Sequence, residues 1–211
     1  MSESIQQGKN TLFPVFLKLE QLQVLLIGGG ITALEKLKAI LANSPATGIN
    51  VVAPEICGEI RKIAESFPTI RLITDSYQPQ QLDACDLVIT AVNNFELSRT
   101  IREDARKKGK LINCADIPEL CDFYLGSVVT KGNLKLAVST NGKSPTIAKR
   151  LKEVFAEMLP EEIDGLLENM ELIRKNLSGD FSTRVHQLNE LTRSLVEKQK
   201  AAEDYEQYWF L

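Results

Sequence analysis

The sequence predicts an α/β protein in which a parallel β-sheet is followed by a β-hairpin and a small helical carboxyl-terminal region. Three observations predict this fold. Across residues 23–114, short apolar runs alternate with segments whose apolar residues recur at helical spacing. Three consecutive glycines join the first apolar run to the first helical segment. After residue 127 the alternation stops, and two β-rich runs precede a stretch with helical periodicity alone.

Five apolar runs in the first half are predicted strands. Such continuous runs are typical of strands that are buried on both faces of a parallel sheet. The helical segments between them imply right-handed crossovers. The predicted strands are Gln23–Ile27, Ile49–Val52, Ile70–Ile73, Asp86–Ala91 and Lys110–Cys114. The predicted helices are Ala33–Ala42, Glu55–Ser66 and Glu96–Lys107.

The second half begins with a predicted hairpin, in which a turn at Lys131-Gly132-Asn133 joins two β-rich runs. Ser144 followed by Pro145 then predicts the start of a helix that ends near Pro160. Later apolar residues fall on two further helix faces: Ile163, Leu166, Leu167, Met170, Ile173 and Leu177 on one, and Val185, Leu188, Leu191 and Leu195 on the other. We therefore expect three regions: a parallel-sheet domain over 1–113, a hairpin region over 114–145 and a helical domain over 146–211.

Composition and charge exclude several classes of protein. Of the 211 residues, 44% are hydrophobic and 25% are charged, which is typical of a globular chain. A net charge of -3 gives no general attraction to nucleic acid or anionic lipid. No apolar run approaches the roughly 20 residues of a membrane helix, and Met1–Thr11 lacks signal-peptide features. We expect a cytoplasmic protein without nucleic-acid or membrane partners.

The cysteines and the single histidine do not form a metal-binding pattern. Cys57, Cys85, Cys114 and Cys121 contain no CxxC pair, so buried reduced thiols are the simplest interpretation. His186 has no partner histidine for a metal site. We therefore expect no bound metal.

The glycine turn has the pattern G-x-G-x-x-A. Gly28 permits the tight turn, Gly29 occupies the variable position between, and Gly30 lets a pyrophosphate approach the backbone. The helix that starts after it directs its partial positive charge at the phosphates. Because the motif stands between a predicted strand and helix, it indicates a Rossmann-type dinucleotide site. A turn that merely tolerates glycine is the alternative.

The ribose-binding signal is less regular. The second strand ends in Ala53-Pro54-Glu55, so Glu55 lies slightly later than the usual acidic residue and could instead be a solvated helix residue. No arginine stands at the end of this strand to bind a ribose 2′-phosphate, and the nearest one is Arg61. This absence favours NAD over NADP. Thr90 and Asn93 lie at the carboxyl-terminal exit of the fourth predicted strand and are candidate cofactor neighbours, although Asn93 could equally cap a helix.

Several motifs together carry a family resemblance. They are Phe13–Phe16, Val24–Gly30, Val51–Glu55, Asn113–Asp116 and Ala137–Pro145. In this order the chain resembles the precorrin-2 dehydrogenase family, the module found as the amino-terminal half of siroheme synthases. The resemblance covers roughly Leu12 to Pro160 and is more specific than the glycine turn alone.

The resemblance implies NAD-dependent oxidation of precorrin-2 to sirohydrochlorin, in some members followed by insertion of ferrous iron to give siroheme. It also implies a homodimer formed through the hairpin region. By position in the motifs, Asp116 matches the catalytic aspartate, and the nucleotide contacts fall on Ile31, Thr32, Pro54 and Glu55. Ile31 replaces a polar residue of some members, so its contact would use the backbone. Thr140 stands where some members have serine.

The chemistry of these residues agrees with that activity. Asp116 follows the fifth strand, where a carboxylate can take the proton that leaves with oxidation. Local pattern alone also fits a turn aspartate before Pro118. Precorrin-2 carries many carboxylates, so cations and exposed amides near a helix start are candidate substrate binders: Asn141, Gly142, Lys143, Ser144, Lys149 and Arg150. Lys149 and Arg150 could also be solvated helix charges.

Two other functions remain open. A regulatory domain could bind a dinucleotide and signal through its helical tail without chemistry. Asp116 and the Ser139–Pro145 segment argue against this alternative, because a sensor does not require them. A dehydrogenase for simple hydroxy acids is disfavoured because no histidine lies near the predicted sheet edge.

Overall fold

The computed structural model describes residues 10–200, with side chains as far as Arg193. The segment 1–9, which carries most of the stretch predicted to lack signal-peptide features, lies outside the described residues. So does the side chain of Leu195, which the sequence places on the last helix face.

The predicted α/β architecture is confirmed. Five strands form a sheet in the order β3-β2-β1-β4-β5, and all neighbours are parallel. The strands are β1 Gln23–Ile27, β2 Gly48–Val52, β3 Ile70–Ile73, β4 Leu87–Thr90 and β5 Leu111–Cys114. Because the order reverses at β1, the carboxyl ends of β1 and β4 open the crevice in which ligands of such sheets bind.

Three helices cover the two faces of this sheet: α1 Ile31–Asn43, α2 Gly58–Ser66 and α3 Phe95–Lys107. Alternate residues of β1 point to opposite faces. Leu26 packs in one core with Leu37 and Ile60, whereas Leu25 packs in the other with Ile101. Burial on both sides explains why the strands read as continuous apolar runs.

The other bounds of the sheet strands and their helices agree with the predicted ones within two residues, but two features of this domain differ by more. Helix α2 begins at Gly58, three residues later than expected, because the Cys57 amide donates to the Gly29 carbonyl at 2.8 Å and holds the preceding loop extended. A 3-10 turn over Pro79–Ala84, which the strand–helix alternation did not predict, inserts the fully buried Leu82 into the core.

A hairpin and three helices follow the sheet, as predicted. The hairpin pairs β6 Ser127–Lys131 with β7 Leu134–Val138. The helices are α4 Pro145–Met158, α5 Ile163–Asn176 and α6 Phe181–Lys200. None of the helices within residues 10–200 combines the length and the apolarity needed to cross a bilayer.

The chain divides into two compact units. The first comprises residues up to 128 together with 137–152, and the second comprises 129–136 together with the residues from 153 onward. Within the second unit, Lys131 donates to the Leu159 carbonyl at 2.5 Å and to the Glu161 carboxylate at 2.6 Å, and the Asn133 amide donates to Asp164 at 2.7 Å. The three-region division of the sequence remains a prediction.

Candidate functional site

The glycine turn between β1 and α1 packs against two neighbouring loops. Gly28 has a φ of 132°, and a Cβ there would overlap the carbonyl oxygen of Ala91. A Cβ on Gly29 would overlap the carbonyl oxygen of Glu55. Gly30 differs, because a Cβ there would meet no atom within 4 Å. The first two glycines are thus required by the fold, while Gly30 leaves an open surface above the turn.

The amino terminus of α1 is suited to an anion. Gly30 caps the helix without a side-chain hydrogen bond, and the first turn contains no acidic residue. Its free amides and the helix dipole therefore point at the open surface above Gly30. Ile31 is 77% exposed and Thr32 is half-buried, and their contacts with the nucleotide remain predictions. These features fit the pyrophosphate of a dinucleotide.

The other predicted cofactor neighbours lie in different environments. Pro54 and Glu55 are exposed beside the glycine turn. Thr90 is buried, and its hydroxyl lies 3.5 Å from that of Ser98, so the side chain is engaged within the protein. Asn93 is exposed, and the residue that caps α3 is its neighbour Asn94, which accepts a hydrogen bond from the Leu97 amide.

Asp116 lies two residues beyond β5 and is exposed. Its φ of 62° is in the left-handed region that non-glycine residues seldom adopt, and such conformations concentrate at functional sites. The adjacent Ala115 amide donates to the Thr90 carbonyl at 2.8 Å and ties this segment to the end of β4. The carboxylate is therefore placed at the same edge of the sheet as the glycine turn.

Asp116 lines a cavity of about 340 Å³ in the first unit. A volume of this order is in the usual range for small-molecule sites. A second wall comes from the segment after β7, including Ser139, Thr140, Gly142 and Pro145. The structure therefore brings together Asp116 and the Ala137–Pro145 motif, which are more than 20 residues apart in the sequence.

A tight turn shapes the second wall. Asn141 and Gly142 have φ values of 55° and 74°, and the Lys143 amide donates to the Thr140 carbonyl at 3.1 Å. Two consecutive positive φ values favour the sequence Asn-Gly. The Thr140 hydroxyl accepts from the Ser144 amide at 3.2 Å and donates to its carbonyl at 3.0 Å. These bonds fix the turn to the start of α4.

The predicted substrate-binding residues divide into two groups. Gly142 lines the cavity, and Ser144 supports its wall while its hydroxyl accepts a hydrogen bond from the Ile147 amide as a helix cap. Asn141, Lys143, Lys149 and Arg150 do not line the cavity, and the last three are exposed. Their roles in binding remain predictions.

One charged residue of the cavity was not predicted from the sequence. Lys36 of α1 is half-buried and lines it together with Asp116. Lysines within amphipathic helices are usually solvated, so Lys36 was not predicted to belong to the site. A signal was present, because the buried residues Ala33 and Ile40 lie three before and four after Lys36, and such residues share a helix face.

A charge pair anchors the loop that carries Asp116. The Arg102 guanidinium contacts both oxygens of Asp122, at 2.7 and 2.6 Å, and the Ile112 amide donates to the same carboxylate at 3.1 Å. The two side chains are only 17% and 22% exposed. A bidentate pair of this kind is strongly oriented.

Replacing Asp122 with alanine should lower the free energy of unfolding by about 2–3 kcal/mol, because Arg102 and the Ile112 amide lose their partner in a partly buried place. Urea unfolding of wild type and variant measures the difference. Asp83→Ala is the matched control, because its pair with Lys108 leaves Asp83 64% exposed, and such pairs contribute about 0–1 kcal/mol. Equal losses in the two variants would contradict this anchoring role.

The thiols near the site are protonated. Burial raises the pKa of Cys114 to about 11 and also raises that of Cys121. The Cys121 Sγ donates to the Cys114 carbonyl at 3.1 Å and accepts from its amide at 3.2 Å. Burial likewise raises the pKa of Cys85 to about 11. These three thiols therefore have structural roles, and none of them is available as a thiolate nucleophile near neutral pH.

The raised pKa values predict a loss of stability in alkali. Unfolded thiols lose their protons near pH 9, whereas Cys85 and Cys114 hold theirs to about 11. The folded state therefore binds more protons in this window, and the free energy of unfolding should fall as pH rises through it. Urea titrations across the window should show a smaller slope for the Cys85→Ala/Cys114→Ala variant. Identical slopes would contradict the assignment.

Metal-binding residues are not clustered in the part of the chain that is described: no group of three His, Cys, Asp or Glu side chains there could hold an ion. His186 lies on α6 and is exposed.

Two family models match the chain. Residues 15–127 match the family described as "Putative NAD(P)-binding", and residues 131–158 match the family described as "Sirohaem biosynthesis protein central". The first match covers more than half of the 211 residues. Together with the glycine turn at the sheet edge, it defines the class of protein, a Rossmann-type protein that binds a nicotinamide dinucleotide.

Comparison with known proteins identifies the family within this class: the chain belongs to the precorrin-2 dehydrogenase family. It is similar to the solved structure of "SirC, precorrin-2 dehydrogenase", with a TM-score of 0.67 and 25% identity, over 93% of this chain and 100% of that chain. The resemblance stated in the sequence analysis is therefore confirmed.

Curated relatives agree with this assignment. The chain is 32% identical to the siroheme synthase of Nitrosomonas europaea over 176 residues. The aligned region covers 83% of this chain and 36% of that protein. It is 34% identical over 155 residues to siroheme synthase 1 of Cronobacter sakazakii, 74% of this chain and 32% of that protein. The chain thus spans about a third of the length of these relatives.

Proposed function

We propose that this protein is a dehydrogenase that oxidises precorrin-2 to sirohydrochlorin with NAD as the electron acceptor. The observation that carries the proposal is Asp116, a carboxylate with positive φ in the wall of a cavity at the nucleotide-binding edge of the sheet. A dinucleotide sensor without catalysis has no need of such a residue. The relatives' names support the substrate.

Each part of the site has a separate task in this mechanism. The amides at the start of α1 and the open surface above Gly30 would hold the pyrophosphate. When bound, the dinucleotide supplies the hydride acceptor. Asp116 takes the proton that leaves the substrate carbon or nitrogen in the same oxidation. Gly142, in the turn at Asn141-Gly142, lines the cavity together with Asp116 and would restrict the position of the ring edge.

NAD is proposed over NADP for an electrostatic reason. Glu55 is exposed beside the glycine turn, and a carboxylate there repels a ribose 2′-phosphate and can accept a hydrogen bond from a free 2′-hydroxyl. Arg61, the nearest arginine, donates through its Nε to the Ile56 carbonyl at 3.1 Å and supports the loop.

Assembly and location complete the proposal. We propose a homodimer, because the second unit exposes large apolar side chains on α5 and α6, including Leu172, Phe181 and Leu191, and such surfaces favour association. Sedimentation of the purified protein measures its assembly.

We propose a cytoplasmic location, which suits the four free cysteines within the described residues.

The test compares acceptors and substrates. Under anaerobic conditions, precorrin-2 is incubated with the protein and NAD, NADP or no dinucleotide, and sirohydrochlorin is followed by its absorbance. The proposal expects faster conversion with NAD than with NADP and no turnover of simple 2-hydroxy acids. Tight NAD binding without conversion of precorrin-2 would favour the sensor alternative. Ferrous iron added after conversion then tests for chelation by the same protein.

A further inference from the structure

The cavity beside Asp116 contains a cation that the predicted substrate-binding set did not include. Lys36 lies in the second turn of α1, half-buried, with its side chain in the cavity wall. Among the residues that line this cavity, Lys36 is the cationic one and Asp116 the anionic one. Lys143, Lys149 and Arg150, expected to bind substrate carboxylates, do not line it.

The Lys36 ammonium has no carboxylate partner among the side chains that the structure describes. No side chain among residues 10–193 forms a hydrogen bond or an ion pair with it. Asp116 shares the cavity but is not within ion-pair distance. An anion that enters the cavity can therefore pair with Lys36 without displacing a carboxylate of the described residues.

We propose that Lys36 is a positioning residue that binds a peripheral carboxylate of the tetrapyrrole substrate. The inference rests on the proposed function and deepens it. A lysine suits this task because its compact charge sits on a flexible stem and can follow a carboxylate as the ring settles. With the carboxylate held on the α1 wall, the ring edge faces Asp116.

The dinucleotide is the competing anion. Its pyrophosphate belongs at the amides around Gly30, and Lys36 lies six residues, or about 9 Å of helix rise, further along α1. The side chain lines the cavity of Asp116 and the Thr140–Pro145 segment. The two ligands are therefore distinguished by measuring their affinities separately.

The experiment compares Lys36→Met with Lys38→Met, a matched control because Lys38 is exposed on the same helix. Three quantities are measured: sirohydrochlorin binding by fluorescence, kcat and KM for precorrin-2, and NAD binding by calorimetry. We expect Lys36→Met to weaken sirohydrochlorin binding and to raise KM by about tenfold, the effect of one lost charge-assisted contact. We expect kcat and NAD affinity within about twofold of wild type, since Lys36 contacts neither the reacting atoms nor the dinucleotide.

Two further readouts separate binding from a merely structural role. The salt dependence of sirohydrochlorin binding should be shallower in Lys36→Met than in wild type, because one screened charge contact is gone. Lys36→Arg should recover most of the affinity, because it restores the charge.

Three results would overturn the inference. Unchanged sirohydrochlorin affinity in Lys36→Met would show that Lys36 does not bind a carboxylate of the tetrapyrrole. Weaker NAD binding with normal tetrapyrrole binding assigns Lys36 to the dinucleotide. A loss of affinity that Lys36→Arg fails to recover and that has the wild-type salt dependence indicates packing alone. Failure of the proposed function looks different, because wild type itself would then neither bind nor oxidise the tetrapyrrole.

Discussion

Asp116→Asn is expected to reduce kcat for precorrin-2 oxidation by about 10²–10⁴-fold, the usual contribution of a positioned general base. Asparagine keeps nearly the same shape and tolerates the left-handed conformation at φ 62°, so the fold should survive. It cannot accept the proton. Activity is measured as sirohydrochlorin formation with saturating NAD.

The fold and the cofactor site serve as internal controls for this variant. NAD affinity and the free energy of unfolding should stay close to wild type, because Asp116 is exposed and asparagine keeps its shape and backbone conformation. Asp122→Asn is the contrasting variant. It changes a carboxylate six residues away that accepts a hydrogen bond from the Ile112 amide and so serves the fold. Near-normal turnover in Asp116→Asn would remove this residue from the mechanism.

Gly30→Ala is expected to weaken dinucleotide binding by about 10- to 100-fold while leaving stability nearly unchanged. A Cβ at this position meets no protein atom within 4 Å, and the φ of -92° is open to alanine. The methyl group instead occupies the surface above the turn, where the pyrophosphate would approach the amides. Loss of one charge-assisted hydrogen bond, about 1.5–3 kcal/mol, accounts for the expected range.

Two glycine variants are controls for Gly30→Ala. Gly29→Ala should lower the free energy of unfolding by about 1–3 kcal/mol, because its Cβ overlaps the Glu55 carbonyl. Gly58→Ala, at the start of α2 with no atom near its Cβ, should be neutral in both measurements. Calorimetry with NAD and urea unfolding separate the three outcomes. Normal NAD affinity in Gly30→Ala would contradict the phosphate-binding role of this surface.

Local patterns predicted the sheet well because its strands are buried on both faces. The bounds of β1 and β3 agree with the apolar runs that predicted them. The start of α2 was predicted too early, since Pro54-Glu55 reads as a helix start by local preference. The packing of Gly29 against the Glu55 carbonyl and its bond from Cys57 override that preference. Such contacts depend on residues far apart in sequence.

The same distinction applies to the site. The glycine turn was evident from its spacing, and Asp116 was singled out by position after β5 and by the family resemblance. The cavity itself joins Lys36, Asp116 and Thr140, three residues whose proximity only the folded chain determines. A lysine between apolar helix residues reads as solvated until that cavity is known.

The central claim is that one site couples the dinucleotide to oxidation of the tetrapyrrole. It is tested most directly by counting both products in one anaerobic reaction of wild-type protein with precorrin-2 and NAD, with Asp116→Asn alongside. We expect one NADH for each sirohydrochlorin in wild type, and severe slowing of the formation of both products in Asp116→Asn. Sirohydrochlorin formed without NADH, or NADH formed equally fast by Asp116→Asn, would contradict it.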